Sequence, residues 1–390
     1  MKKLKRIFSV LLLCVFSLSC FSSCEKAGTE LSDLMIIQGI GVDYEKGNFI
    51  VTVEILNNEQ SGTPGGDSSS EDKTKIYSMQ GETVADALRL LTTKSGNLPL
   101  FAHNRVIIIN ENLNEKTISD VLEFFLRNYD SRASQLLCVS KGQKAAKLIR
   151  AKLLKDTVKS EILENLLTES HKKSLIPQVR IIDAANALQN KAISLCVPAV
   201  TLKKNGENED YELSGCAVYD KNGRVSMFLT KNESEGLDFL NNDVKDGFLT
   251  ETLPDGERAT FLINKSKTKY KIEAKGGNLI YHLTVDISCD VDEIGVGERG
   301  YADKVIMKDL KATIKKAVTS RIDATLNALK KEKCGDCVAF CKILQLKKPQ
   351  LYKTVAGNWQ SIFPNIQTKI DVNVTIRRVG EETLKTNKSA

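Results

Sequence analysis

The chain has 390 residues, 56 basic against 49 acidic side chains and a formal charge of +7. Four basic residues (Lys2, Lys3, Lys5, Arg6) lie in the first 23 positions, and without those positions the balance is 52 against 49. So small a surplus, with no basic helix interleaved with aromatics, excludes a nucleic-acid footprint. The apolar fraction of 42% is that of a chain able to bury a core.

The basic head is followed by the apolar run Ile7–Phe16 and by Ser17-Leu18-Ser19-Cys20-Phe21-Ser22-Ser23-Cys24. This is a secretory signal peptide over residues 1–23 whose cleavage site ends in a cysteine. The apolar run is well short of the roughly 20 residues needed to span a bilayer. Phe21-Ser22-Ser23-Cys24 fits lipoprotein processing better than Ser17-Leu18-Ser19-Cys20, which makes Cys24 the expected lipidation site. An ordinary secretory signal with incidental cysteines is the alternative. A diacylglyceryl thioether would bring two acyl chains, and two hold stably where one holds weakly.

After a short tether, Leu34–Asp43 reads as an apolar strand. Gly47-Asn48 turns it into a second strand, where Phe49, Val51, Val53 and Ile55 alternate with Ile50, Thr52 and Glu54. Residues 57–73 are a polar loop, and a strand follows from Lys75 to Gln80. Thr83 caps a helix carrying Val84, Ala87, Leu88 and Leu91 at helical spacing. Val106–Ile109 is a buried strand. A helix starting near Thr117 carries Ile118, Val121, Leu122 and Phe125, and Gln135–Val139 is again a strand. Helical patterns return over 143–168 and 178–190.

Residues 194–230 hold two or three strands, with Asn222-Gly223 at a hairpin turn. A short helix covers 233–241, and 248–290 is strand-rich. A long helix runs from Tyr301 to Lys331. The last strand, Ile366–Ile376, alternates cleanly, and the tail after Gly380 reads as frayed. These elements predict an α+β or mixed α/β chain of three domains. Each is a mostly antiparallel or mixed sheet with packed helices, and the C-terminal one carries the long helix. The expected boundaries are signal peptide 1–23, N-terminal α/β domain 24–190, small middle α+β domain 191–260 and C-terminal α+β domain 261–390.

The chemistry-bearing motifs are few. Cys334-Gly335-Asp336-Cys337, followed by Cys341, has the spacing of a zinc or iron–sulfur knuckle, but no fourth ligand lies nearby. The alternative is a helix–helix turn with incidental thiols. Cys138, Cys196, Cys216 and Cys289 sit singly in apolar runs and read as small buried hydrophobes. Gly39-Ile40-Gly41 lacks the third glycine and the following helix of a dinucleotide fingerprint. His103, His171 and His282 have neither triad order nor paired spacing. No catalytic constellation and no cofactor motif is evident, so no enzyme is expected.

The chain resembles the Ger(x)C lipoproteins, the C subunits of bacterial spore nutrient-germinant receptors. The resemblance begins at Cys24 and runs through Glu30-Leu31-Ser32-Asp33-Leu34 into Gly39-Ile40-Gly41-Val42-Asp43. It continues at Gly81–Arg89 and is strongest over Leu100-Phe101-Ala102-His103-Asn104-Arg105-Val106-Ile107-Ile108-Ile109. It extends through Leu122–Arg132 and Trp359-Gln360-Ser361-Ile362-Phe363-Pro364. Two departures are Glu25-Lys26 directly after the lipid cysteine and the Cys334–Cys341 cluster.

The resemblance implies a non-enzymatic subunit, lipid-anchored on the extracytoplasmic face of the spore inner membrane. It would assemble with integral-membrane A and B subunits, the germinant being bound by the complex rather than by this chain. A tethered solute-binding lipoprotein that captures the nutrient itself is the alternative, and a lipid-anchored hydrolase lacks its residues. His103, Arg127 and Arg132 are candidate contacts to a partner, against a core role for His103 and surface ion pairs for the two arginines, with Asp130 a nearby acid.

Overall fold

The computed structural model describes residues 33–57, 73–154, 157–190, 192–295, 304–331 and 335–379. The expected signal peptide, Cys24, most of the 57–73 loop, Cys334 and the tail after Gly380 lie outside these residues.

The first sheet has nine strands. β1 (Leu34–Glu45) and β2 (Asn48–Leu56) form the expected hairpin, and β3 (Thr74–Gly81) extends it antiparallel. Helix α1 (Val84–Ser95) starts at Thr83, whose hydroxyl accepts the Asp86 N–H, and stops at the left-handed Gly96. The short β4 (Leu98–Leu100), unsignalled by periodicity at three residues, pairs parallel with the start of β1. β5 (Val106–Asn110) lies parallel to β1 on its other side. Helix α2 (Ile118–Arg127) opens with a reciprocal Thr117–Asp120 capping box and leads to β6 (Leu136–Ser140), parallel to β5.

The single helical stretch expected over 143–168 is two helices, α3 (Ala145–Ile149) and α4 (Lys159–Lys172). Between them the chain leaves the helix because Lys152 pairs with β8 (Asn208–Tyr219): its carbonyl accepts the Glu209 N–H at 2.8 Å. Helix α5 (Ile181–Gln189) precedes β7 (Cys196–Asn205), which lies parallel to β6 and antiparallel to β8, and β9 (Val225–Leu229) closes the edge.

Helix α6 (Lys231–Asn241) leads to a four-stranded sheet of β10 (Gly247–Thr252), β11 (Arg258–Lys275), β12 (Asn278–Ile294) and β13 (Gln367–Val379). β13 is parallel to β12, so a long crossover is required. It is supplied by α7 (Lys304–Lys331), α8 (Phe340–Lys347), α9 (Pro349–Val355) and α10 (Trp359–Ile362). No described helix is long and apolar enough to cross a membrane.

The boundary expected at 190/191 falls between β6 and β7, which share one sheet with Val139 opposite Ala199. The boundary expected at 260/261 falls inside β11. The two sheets also share a core. Along β5, Val106 and Ile108 point to one face and Ile107 and Ile109 to the other. The first face packs on α3 and α4 and runs on, through Leu237, Phe239 and Leu240 of α6, into Phe261, Tyr281 and Ile314 of the second sheet and α7. The second face is covered by α1, α2 and α5 with the loop residues Phe101, Leu113 and Leu195. At the α6–α7 crossing a Cβ on Gly236 would lie 2.4 Å from the Arg321 carbonyl, so glycine is what permits the approach. Arg321 then bridges α6 and β10, at 2.7 Å to Glu235 and 2.8 Å to Glu251.

Candidate functional site

The expected partner contacts fall on one side of the first sheet, where α1 and α2 leave a groove of about 640 Å³. Phe49, Leu88, Phe101 and Phe124 supply its apolar lining, and Arg89, Lys116, Asp120 and Glu123 its charged rim. Arg127 stands on this rim and gives its Nε–H to Glu123 one turn back at 2.8 Å, rather than pairing with Asp130. Both members are exposed, so the pair adds little to stability. Tyr129, just past α2, also lines the groove and is 94% exposed. An unprotected aromatic ring on a folded surface is apolar area with no intramolecular use. A second, smaller groove separates α2 from α5 and contains Leu126, 47% exposed.

His103 and Arg132 are exposed on the two loops flanking this face. Those loops are fastened by the residue after His103. Asn104 is buried and donates to Gln135 Oε1 at 3.0 Å, and Gln135 donates in turn to the Phe101 carbonyl at 3.0 Å. Arg105 gives Nε–H to Gln38 at 3.0 Å and pairs with Glu164 at 2.6 Å. The structure thus brings His103, Arg127 and Arg132 to neighbouring loops and one helix end, with only Arg127 in the groove. Asn104, not singled out from the sequence, fastens the loops that carry His103 and Arg132, and Arg105 ties the first of those loops to Gln38 and Glu164. The signal for Asn104 and Arg105 was two polar residues directly ahead of a wholly apolar strand.

The Gly39-Ile40-Gly41-Val42-Asp43 block serves the opposite face. Asp43 is buried at the end of its apolar run and accepts the N–H groups of Ala145 and Ala146 at 2.8 and 2.9 Å, with Asn110 at 2.6 Å. It caps α3 and meets the positive end of that helix. The glycines make room: a Cβ on Gly39 would lie 1.8 Å from Ser160 Oγ, and one on Gly41 3.1 Å from the Ala145 carbonyl. Glu54 does the same for α4, accepting from the Lys159 and Ser160 amides at 2.8 and 2.7 Å and from the Thr74 hydroxyl at 3.0 Å. The face of β2 that carries Thr52 and Glu54 is therefore roofed by helices, and both side chains are completely buried.

At the cysteine cluster the organising group is Asp336. It is buried, and its two oxygens accept the Phe340 and Cys341 amides at 3.0 and 2.7 Å and the Trp359 indole N–H at 3.1 Å. Burial pushes its pKa up to about 6 against the lowering effect of these donors. Cys341 is buried beside it, and burial pushes that thiol up to about 12. Cys337 points elsewhere, its thiol within hydrogen-bonding reach of Cys196 on β7, which also contacts Cys216. A thiol as firmly protonated as that of Cys341 is a poor nucleophile. Among the described residues no three His, Cys, Asp or Glu side chains are placed to hold a metal ion.

Residues 28–202 match the family described as spore germination protein N-terminal domain, and residues 214–380 match spore germination B3/GerAC-like, C-terminal. Spore germination protein KC of Bacillus subtilis (strain 168) is 24% identical over 372 residues, covering 90% of this chain and 91% of that protein. Spore germination protein GerQC of Bacillus cereus is 23% identical, covering 97% and 99%. The crystal structure of the GerBC protein superposes with a TM-score of 0.59 at 22% identity, over 87% of this chain and 96% of that one, so the two share a fold.

Proposed function

Because the chain belongs to the spore germination GerAC family, we propose that it is the non-enzymatic C subunit of a nutrient-germinant receptor, anchored by lipid on Cys24 to the extracytoplasmic face of the spore inner membrane. The observation that carries this reading is the match of both family domains, in order, across nearly the whole chain after the signal peptide. A lipid anchor confines the subunit to the plane of its membrane-embedded A and B partners, which raises their effective concentration. The α1–α2 groove, with Arg127 on its rim, Tyr129 beside it and His103 and Arg132 on the flanking loops, is the surface assigned to those partners. The germinant is bound by the assembled complex.

One observation favours direct capture of a small nutrient as the second reading. A cleft of about 730 Å³ lies where Asn190, residues 192–195 and the 220–222 turn of the first sheet meet α9 and α10, with Asp220, Lys221, Tyr352 and Asn358 in its wall. Clefts between packed units are where small ligands commonly bind. Co-purification from detergent-solubilised spore membranes, wild type against Cys24→Ala, separates the two. The receptor reading expects integral-membrane subunits to come down with the wild type, and the variant to leave the membrane fraction. A wild-type protein that purifies alone, and is stabilised by a nutrient in a thermal melt, overturns it in favour of capture.

A further inference from the structure

Residues 337–370 contain five lysines and not one aspartate, glutamate or arginine. The rest of the chain from Cys24 onward holds 47 basic against 49 acidic residues, so the positive surplus of the chain resides in this segment. Some exposed lysines elsewhere pair with acids, as Lys144 does with Glu45, Lys173 with Asp246, Lys231 with Glu212 and Lys269 with Asp286. On α8 and α9, Lys342, Lys347, Lys348 and Lys353 are all exposed, and none has an ion-pair partner among the described residues.

The core fixes which way these helices face. Phe340, Cys341 and Leu344 are buried against the second sheet, and Leu351, Tyr352 and Val355 pack partly on the same core. That leaves Lys342, Gln345 and Leu346 outermost on α8, and Gln350, Lys353 and Thr354 on α9. Leu346 is 75% exposed in the midst of the lysines. A purely solvated charged face has no need of that leucine, and it would carry both signs of charge as the rest of this surface does. Uncompensated lysines around a protruding aliphatic side chain suit an anionic lipid surface. The ammonium groups reach the headgroup phosphates while the leucine enters the acyl boundary. A protein partner fits less well, because protein interfaces favour the bidentate arginine fork and are depleted in lysine.

We propose that α8 and α9 form a second membrane contact, selective for anionic phospholipid, which lays the C-terminal half of the chain on the bilayer. The contact builds on the membrane-tethered reading above. The ten residues from Cys24 to Asp33 make nine steps and reach at most roughly 30 Å, so the tether keeps the start of the fold close to the bilayer.

The chain from residue 24 onward carries every described element, and with Cys24→Ser it has no lipid to confuse the measurement. Flotation with phosphatidylcholine vesicles, with or without phosphatidylglycerol, is the assay. The protein is expected to float with the anionic vesicles only, and to be released as salt is raised. Joint replacement of Lys342, Lys347, Lys348 and Lys353 by Gln should weaken binding about fivefold per lysine. Leu346→Ala should weaken it roughly tenfold. All five positions are exposed, so an unchanged urea midpoint certifies the fold. Absence of flotation, or a quadruple variant that floats like the wild type, overturns the proposal. So does loss of partner co-purification by the quadruple variant when the wild type does not float, an outcome that points to an acidic protein surface. Failure of Cys24 acylation in cells, with flotation intact, would remove the tether and leave this contact standing.

Discussion

The two faces of the nine-stranded sheet are built by different means. On one, Asp43 and Glu54 reach out of β1 and β2 to hold the first turns of α3 and α4, and Gly39 lets α4 approach within side-chain contact. That face continues into the core of the second sheet, and Leu154, between α3 and α4, is the large apolar side chain it leaves exposed among the described residues of those two helices and their connection. On the other, α1, α2 and α5 pack mainly through apolar side chains, with backbone amides at the helix starts tied to loop carbonyls (Ile118 to Gly223, Ile181 to Gln135) rather than to a buried carboxylate of the sheet, and Leu90, Leu126, Tyr129 and Ile182 remain exposed. A buried carboxylate at a helix start fixes the position of that helix and allows no sliding, because each unpaired amide would carry a desolvation penalty. Apolar packing fixes volume but leaves surface over. The first face is therefore internal architecture, and the second has surface to offer a partner.

The comparison is broken most directly at Glu54. Glu54→Ala removes the acceptors of the Lys159 and Ser160 amides and of the Thr74 hydroxyl, all out of water. Two orphaned amides and a lost cap should destabilise the chain by roughly 4 kcal/mol, read as a shift in the urea midpoint. A loss below about 1 kcal/mol would mean that water replaces the carboxylate, and that the two faces differ less than their hydrogen bonds indicate.

Much of this contrast was legible before any coordinates. The helices of the second face announced themselves by spacing: Val84, Ala87, Leu88 and Leu91 in α1, and Ile118, Val121, Leu122 and Phe125 in α2, are the residues that are buried. Cys138, Cys216 and Cys289 are the small buried groups their apolar runs predicted. The carboxylates of the first face were not legible. Strand alternation assigns Glu54 to a polar face, and period alone cannot tell a solvated face from one roofed by helices more than a hundred residues later in the chain. The split between α3 and α4 was hidden for the same reason. The break depends on Lys152 pairing with Glu209, and on Glu54 supplying a new helix start. At the candidate interface Arg127 and His103 were visible as charge and motif. Asn104 was not, because its function is a contact with Gln135, a residue of another loop.

Asp336 carries the same device to the second sheet. It holds the start of α8 as Asp43 holds that of α3, and burial raises its folded pKa to about 6. The unfolded carboxyl titrates near 3.9. The folded state therefore binds this proton more tightly than the unfolded one does. The stability it contributes is complete below about pH 4 and is lost as pH rises through about 6. The span corresponds to at most about 3 kcal/mol. In urea midpoints measured from pH 4 to 7, Asp336→Asn should flatten this group's part of the profile. Above about pH 6, where the group is a carboxylate, the variant should also be less stable, because an amide offers one acceptor oxygen where the carboxylate offers two, one to the Phe340 and one to the Cys341 N–H. A variant profile that keeps the wild-type slope would assign the pH dependence to other acids.

The smallest effect on folding is expected where the effect on assembly is largest. Leu126 and Tyr129 flank the grooves on the second face and touch little of their own chain. Joint replacement by alanine should move the urea midpoint by no more than about 0.5 kcal/mol, as for other exposed positions. If this face docks a partner, the same replacement removes an aromatic anchor of the kind that dominates interfaces, worth about 2 kcal/mol or more. Membrane subunits should then be lost from the co-purified complex at unchanged stability, while Arg127→Ala, with only a solvated ion pair to lose, should retain most of them. Stability and assembly that fall together would place these side chains within the fold. Assembly indifferent to both would move the partner to another surface, leaving the exposed leucine and tyrosine as ordinary solvent-facing residues. The two measurements together decide whether the apolar surplus of the second face has a use.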